Sequence, residues 1–217
     1  MAATDVSRVV SIDVGSTNMG VCVIERSSVS PEPSASASAA VEEYPYRILH
    51  WELIDLQGSS TNNAIRNLPR EFLLRPVLYD GVTDVVVESQ DVAQPTIQRI
   101  GAAIHSHYAT WSMMNVGGRR LRVHVVSGKN KFKAHNGDLE LPARFPAKGS
   151  YRYNKRLSEE MARDILKKQK DNERLEWFNK CPKKDDLSDA FLQGIWALKN
   201  PSVLKLNPPI HPPIPHT

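Results

Sequence analysis

Asp13, Glu88, Asp186 and Asp189 are the residues of this chain whose types and spacing could do chemistry. Asp13 ends an apolar, β-branched run (Val9, Val10, Ile12) and has no basic neighbour in sequence. A carboxylate there costs several kcal/mol to desolvate unless a metal ion or a hydrogen-bonding turn takes up its charge. Glu88 ends a second apolar run, Thr83-Asp-Val-Val-Val-Glu88. Asp186 and Asp189 stand three residues apart in Lys183-Lys-Asp-Asp-Leu-Ser-Asp-Ala-Phe, on one face of an expected helix. The helix macrodipole favours acids in a first turn, which accounts for one or two of them. It does not explain why both border the helix's buried stripe. Four such groups at element ends on one sheet repel one another unless cations intervene. Two Mg²⁺ ions would use them as oxygen ligands. Two such ions roughly 4 Å apart can activate a water and stabilise the leaving oxygen of a phosphodiester.

The elements that must position these groups read as follows. Arg8 to Ile24 is a strand, a tight turn (Gly15-Ser-Thr-Asn-Met-Gly20) and an antiparallel return. Tyr46 to Leu56 alternates apolar and polar residues and reads as a third strand. Residues 62–80 have helical spacing, with Pro69 and Pro76 expected to break or kink the helix. Thr83 to Glu88 is a buried strand. The stripe Ile97, Ile100, Ile104, Tyr108 and Trp111 marks a clear helix, closed by Gly117-Gly118. Leu121 to Val126 is a fifth strand leading into Gly128-Lys-Asn-Lys-Phe-Lys133. Residues 134–154 lack periodicity and are expected to form a long mobile loop, and 156–179 one long surface helix. The last helix, 185–199, buries Leu187, Ala190, Phe191, Gly194, Ile195 and Leu198. The fold class expected from this order is α/β, a mixed five-stranded sheet flanked by helices. One domain spans 8–199, carrying a low-complexity Ser/Ala/Pro hairpin loop at 27–43 and followed by a Pro-rich tail at 200–217.

Composition limits the function classes. With 41% hydrophobic and 24% charged residues the chain has globular character, and no run approaches the ~20 apolar residues of a membrane span. Met1 to Ser7 lacks the apolar core of a signal peptide, so the expectation is an intracellular protein, with nucleus, mitochondrion and cytoplasmic viral factory equally open. Cys22 and Cys181 have no metal-site spacing and read as plain thiols. The net charge of +4 is unevenly spread. Residues 1–116 hold 7 basic and 13 acidic groups, whereas residues 117–184 hold 19 and 8. Carboxylates followed by a basic block suit a polyanion-binding surface around an acidic site, although a solvated helical face gives the same pattern.

IDVGSTNMG on the first strand, VVVESQ on the fourth and KKDDLSDAF opening the last helix resemble the RuvC-type Holliday junction resolvases of the RNase H-like superfamily. The poxvirus and fungal mitochondrial branch is the nearest in pattern. The resemblance covers about residues 8–199 and leaves the Ser/Ala insertion, 134–154 and the Pro-rich tail unmatched. It implies a Mg²⁺-dependent endonuclease, with Mn²⁺ as a possible substitute, that nicks a four-way DNA junction symmetrically as a homodimer. By motif position the implied ligands are Asp13, Glu88, Asp186 and Asp189, with Asp185 the alternative to Asp186. The implied DNA-facing residues are Lys129, Lys131 and Lys133, with Lys183 and Lys184 before the last helix.

Rival readings leave residues unexplained. An actin/Hsp70-like ATPase also opens with Asp-x-Gly-Ser/Thr, but it needs a second phosphate turn that this sequence does not offer. A proofreading exonuclease needs Asp-x-Glu where Gly15 stands. An RNase H acting on RNA–DNA hybrids remains the alternative, and an idle nucleic-acid scaffold has no reason to keep four costly charges. His105 and His107 point apart on a helix, and His124 reads as a sheet residue. Tyr151, Tyr153 and Trp177 are candidates for stacking on bases, against a plainer role in packing.

Overall fold

The structure is a computed structural model that describes residues 7–26, 46–58, 60–89, 93–115 and 121–202. The Ser/Ala segment 27–43, Gly117-Gly118 and the tail beyond residue 202 lie outside the described residues. Five strands form one sheet: β1 (Arg8–Asp13), β2 (Asn18–Arg26), β3 (Tyr46–Asp55), β4 (Asp84–Ser89) and β5 (Arg122–Ser127), in the spatial order β3-β2-β1-β4-β5. β1 and β2 pair antiparallel, as do β2 and β3, while β4 runs parallel to both β1 and β5. The carboxyl ends of the three parallel strands therefore share one edge, where α/β sheets commonly place their ligands.

Strand periodicity divides the core in two. Val10, Ile12, Val85 and Val87 face one side, against α1 (Thr61–Leu73) and α2 (Pro95–Met114). Val9 and Val86 face the other, against α3 (Tyr151–Lys168), α4 (Asn172–Lys180) and α5 (Lys184–Lys199). Ser11 and Asp13 fall on the α5 side of β1, and Asp84 and Glu88 on the same side of β4. Among the described residues no helix is long and apolar enough to cross a membrane.

Three expectations need correction. The helix expected over 62–80 runs through Pro69 but stops at Leu73; Pro76 then opens a short 3-10 turn, Pro76–Leu78. The irregular segment after β5 ends at Ser150, whose Oγ accepts from the Tyr153 N–H at 3.0 Å and so starts α3 inside the expected loop. The single helix expected over 156–179 is two, because Lys170 adopts a left-handed φ of 58° and Asp171 recaps the chain by accepting from the Arg174 N–H. No glycine or proline marks that break.

Two glycines set how closely α5 sits on the sheet. A methyl group on Gly20 of β2 would overlap the Asp186 carbonyl, and one on Gly194 would press on Ile24 and Ser11. Without a side chain at both positions the helix drops onto β1 and β2. Gln193, fully enclosed, then places its amide nitrogen 3.2 Å from Ser11 Oγ, 3.2 Å from the Val86 carbonyl and 3.4 Å from the Ile12 carbonyl. One side chain thus ties α5 to both β1 and β4.

Candidate metal centre

The position of Gln193 determines what lies one helical turn earlier. Asp189, four residues before it, comes over the ends of β1 and β4, and its carboxylate meets Asp13 and Glu88. One oxygen from each of the three lies within 4.8 Å of the others. Register accounts for the strand pair: Ser11 sits opposite Val86 in parallel pairing, so Asp13 and Glu88, two residues on, emerge side by side on one face. Gly128, just beyond β5, makes room for the Glu88 carboxylate, because a methyl group there would overlap it.

Burial and mutual repulsion raise all three acids above their usual range. Desolvation is the largest cause for Asp13, followed by the charges of Asp189 and Glu88. Desolvation also leads for Glu88 and Asp189. The Lys131 ammonium opposes this. It lies 3.1 Å from Glu88 Oε2 and hydrogen-bonds Asp189 Oδ2. Burial would lower this lysine, but Asp189, Glu88 and Asp13 together hold it above the usual range. Lys131, expected to face DNA with Lys129 and Lys133, is only 9% exposed, and its ammonium is turned toward the carboxylates. The 3-10 turn Gly128–Lys133 causes the split, since its period of three sends Lys131 to the site and leaves Lys129 and Lys133 on the surface.

Asp186 lies outside this group of three but close enough for its charge to act on Asp13. Burial, then Asp185, lifts its own carboxyl. Asp185 turns the other way and bonds to Lys155 of α3. Burial would raise Asp185, but the hydrogen bond and charge of Lys155 outweigh it and hold the carboxyl low. The aspartate doublet therefore divides, one member toward the carboxylates and one tied to the neighbouring helix. Lys183 is exposed before α5, and Lys184 folds back to donate to the Cys181 carbonyl.

The donor set fits a divalent cation of the oxygen-seeking type. All of the ligand candidates are carboxylate oxygens, and Asp189 Oδ1 is buried with no hydrogen-bond partner. An orphaned, charged acceptor beside two like charges is what a bound cation would satisfy. Sequence reasoning missed the inward lysine and the tie from Lys155 to Asp185, because both depend on which way a turn or helix faces. The glycine at position 128, directly after a strand of the basic segment, was the available signal for a close approach.

At the opposite end of β4 a second polar cluster has a different character. Asp84 is fully buried and accepts from His124 at 2.7 Å, Arg122 at 2.9 Å and Thr83 at 2.8 Å. Burial alone would raise it, but these three bonds outweigh burial and keep the carboxyl below its usual range. Here the charges are already paired. His107, by contrast, meets the Tyr79 hydroxyl at 2.6 Å among the rings of Phe72 and Tyr108, away from the carboxylates.

No protein-family model matches the chain, and no curated protein matches it in sequence. Solved structures do. The yeast mitochondrial Holliday junction resolvase Ydc2 superposes with a TM-score of 0.59 at 16% identity, over 92% of this chain and 82% of that one. Thermus thermophilus RuvC gives a TM-score of 0.54 at 15% identity, over 90% and 96%. The same RuvC in complex with Holliday junction substrate gives 0.51 at 14% identity, over 91% and 96%. A likeness of this kind at low identity speaks for architecture, and the architecture is plain: this chain has the RuvC-type form of the RNase H-like fold, with its carboxylates at the shared edge of the parallel strands.

Proposed function

We propose that this protein is a divalent-metal-dependent endonuclease that resolves four-way DNA junctions as a homodimer. The observation that carries the reading is the meeting of Asp13, Glu88 and Asp189 at the carboxyl edge of a sheet whose solved likenesses are junction resolvases. A pair of Mg²⁺ ions, with Mn²⁺ as substitute, supplies charge neutralisation and activation of the attacking water when bound.

The chain's own groups do the rest. Asp13 sits on the most central strand and is the rigid member. Glu88 is fixed by the space above Gly128, and Asp189 is carried by α5 with Oδ1 free to ligate. Asp186, one turn before, completes the acidic set from the side. Lys131 neutralises the carboxylates until cations arrive. Lys129, Lys133 and Lys183 stand exposed around the site to meet backbone phosphates, which fixes register without reading sequence. Hydrolysis leaves a 5′-phosphate and a 3′-hydroxyl. Two copies are needed for paired nicks. The margin of the α2 stripe (Ile97, Trp111) and its exposed end (Met113, Met114) give an apolar surface for a second copy to cover.

The test incubates purified protein with a labelled four-way junction, a plain duplex and an RNA–DNA hybrid, with and without Mg²⁺. Paired symmetric nicks in the junction alone, only with Mg²⁺, are expected. Cleavage of the hybrid alone moves the protein to RNase H chemistry, and cleavage that persists in chelator removes the metal from the reading.

A further inference from the structure

Three aromatic side chains in the basic half of the chain differ in what they touch. Trp177, 39% exposed, leans on Trp51 with ring centroids 5.2 Å apart. Tyr153 meets Phe145 edge-on at 5.3 Å. Both have packing roles. Tyr151 does not: it is 73% exposed, and among the described residues no aromatic ring stacks on it. One face of this ring is therefore open to a flat partner from outside the chain.

Among the described residues its neighbour is a charge, which also hydrogen-bonds its hydroxyl. The Lys155 ammonium lies 4.9 Å from the Tyr151 ring centroid. Lys155 is in turn bonded to Asp185 in the first turn of α5, next to Asp186 and one turn from Asp189. Tyr151, Lys155 and Ser158 follow one line along α3. Ser158 is buried where α3 meets α5, with its hydroxyl reaching the Asp189 carboxylate. At 1.5 Å per residue, the Tyr151 backbone stands about 10 Å along the helix from that point. This is about three base steps at a 3.4 Å rise. Arg152 and Arg156, both exposed on the same helix start, and Lys148 just before it, give the surroundings a positive charge suited to a nucleic-acid backbone.

We propose that Tyr151 is a stacking platform for an unpaired or unstacked DNA base beside the cleaved strand, held in place through Lys155 and Asp185 at the edge of the carboxylate site. This rests on the nuclease reading above and adds the residue that favours a branch point over continuous duplex. A duplex interior offers no free base face, whereas a junction's branch point does. Lys155 serves two purposes: it fixes the ring's position relative to α5 and presents a cation to the ring from one side, leaving the ring open to a base.

The experiment uses the full-length protein in chelator, so that binding is read without cutting. Tyr151→Phe, Tyr151→Leu and Tyr151→Ala are compared for affinity to a four-way junction and to a plain duplex, and for quenching of a 2-aminopurine placed at the branch point. The phenylalanine variant, which keeps the ring and loses only the hydroxyl bonded to Lys155, should keep the quench and most of the junction affinity. The leucine and alanine variants should lose about five- to hundredfold in junction affinity, the range for one stacked base. They should also lose the quench, with duplex affinity and melting temperature unchanged. Equal junction affinity in the alanine variant, or loss from junction and duplex alike, overturns the proposal while leaving the nuclease reading in place if the parent still nicks junctions. A parent that neither binds nor nicks junctions overturns both.

Discussion

Lys131 offers the sharpest test of how the carboxylates are held. In Lys131→Met the aliphatic stem is kept and the charge is lost, so Asp13, Glu88 and Asp189 face one another with no counter-charge. Removing one partner from a buried ion pair costs about 3–5 kcal/mol. The Glu88 and Asp189 side chains remain 17% and 18% exposed and can take up protons, so the lower end applies, about 3 kcal/mol. At 2–4 °C per kcal/mol for a chain of this size, the melting temperature should fall by about 6–12 °C without metal. The loss should depend on pH. All three carboxyls sit above their usual range, chiefly through burial, so the folded state holds protons that the unfolded chain gives up. Stability from these groups therefore falls as pH rises from their unfolded values through their folded ones. Lys131 offsets that fall, so the variant should suffer more at about pH 8 than at about pH 5. Divalent cation should then restore the variant. Saturation at a hundredfold above Kd returns about 2.7 kcal/mol, and the parent gains less because its ammonium must first be displaced. Melts of both proteins with and without Mg²⁺, at the two pH values, check the reasoning. It is refuted if the variant melts with the parent, or if metal shifts the two equally.

Three further outcomes follow from the same geometry. Asp13→Asn should bind four-way junctions and fail to cut them, and in chelator it should melt above the parent because one of three repelling charges is gone; undiminished nicking would remove Asp13 from the chemistry. Gly128→Ala should push Glu88 from the cluster, so titration calorimetry should show weakened Mg²⁺ binding while urea unfolding moves by no more than the ~1–3 kcal/mol of an overpacked contact. Asp84→Asn should cost about 3–5 kcal/mol at neutral pH, since it leaves Arg122 and His124 without their buried partner. Asp84 lies below its usual range, so its contribution is present above the unfolded value of 3.8 and is lost as pH falls; the gap between variant and parent in urea melts should close in acid.

The parts of this site that could be read from sequence are those with a fixed period. Alternation along β1 and β4 puts Asp13 and Glu88 on one face, and the helical stripe of α5 puts Asp189 at its margin. Mixed pairing of the five strands likewise follows from the tight turn after Asp13 and the long connections before β4 and β5. What could not be read depends on a local change of period or on backbone approach. Lys131 turns inward because the segment after β5 is 3-10 rather than extended. The break at Lys170 needs a left-handed residue that nothing in the local composition announces. Asp185 and Asp186 differ by one position and 100° of helix, and only the presence of Lys155 on a separate helix separates them. Gly20 and Gly194 look like ordinary small residues until the helix they admit is in place.

The tie made by Gln193 also bears on when the acidic cluster can be completed. Asp13 and Glu88 are set early, by strands that pair within the first part of the chain, but Asp189 reaches them only when α5 docks and Gln193 closes on β1 and β4. A chain that stops before α5 carries only two of the three clustered carboxylates. Completion of the acidic cluster is thus coupled to the packing of α5, so whatever loosens that helix from the sheet also takes the third carboxylate out of reach.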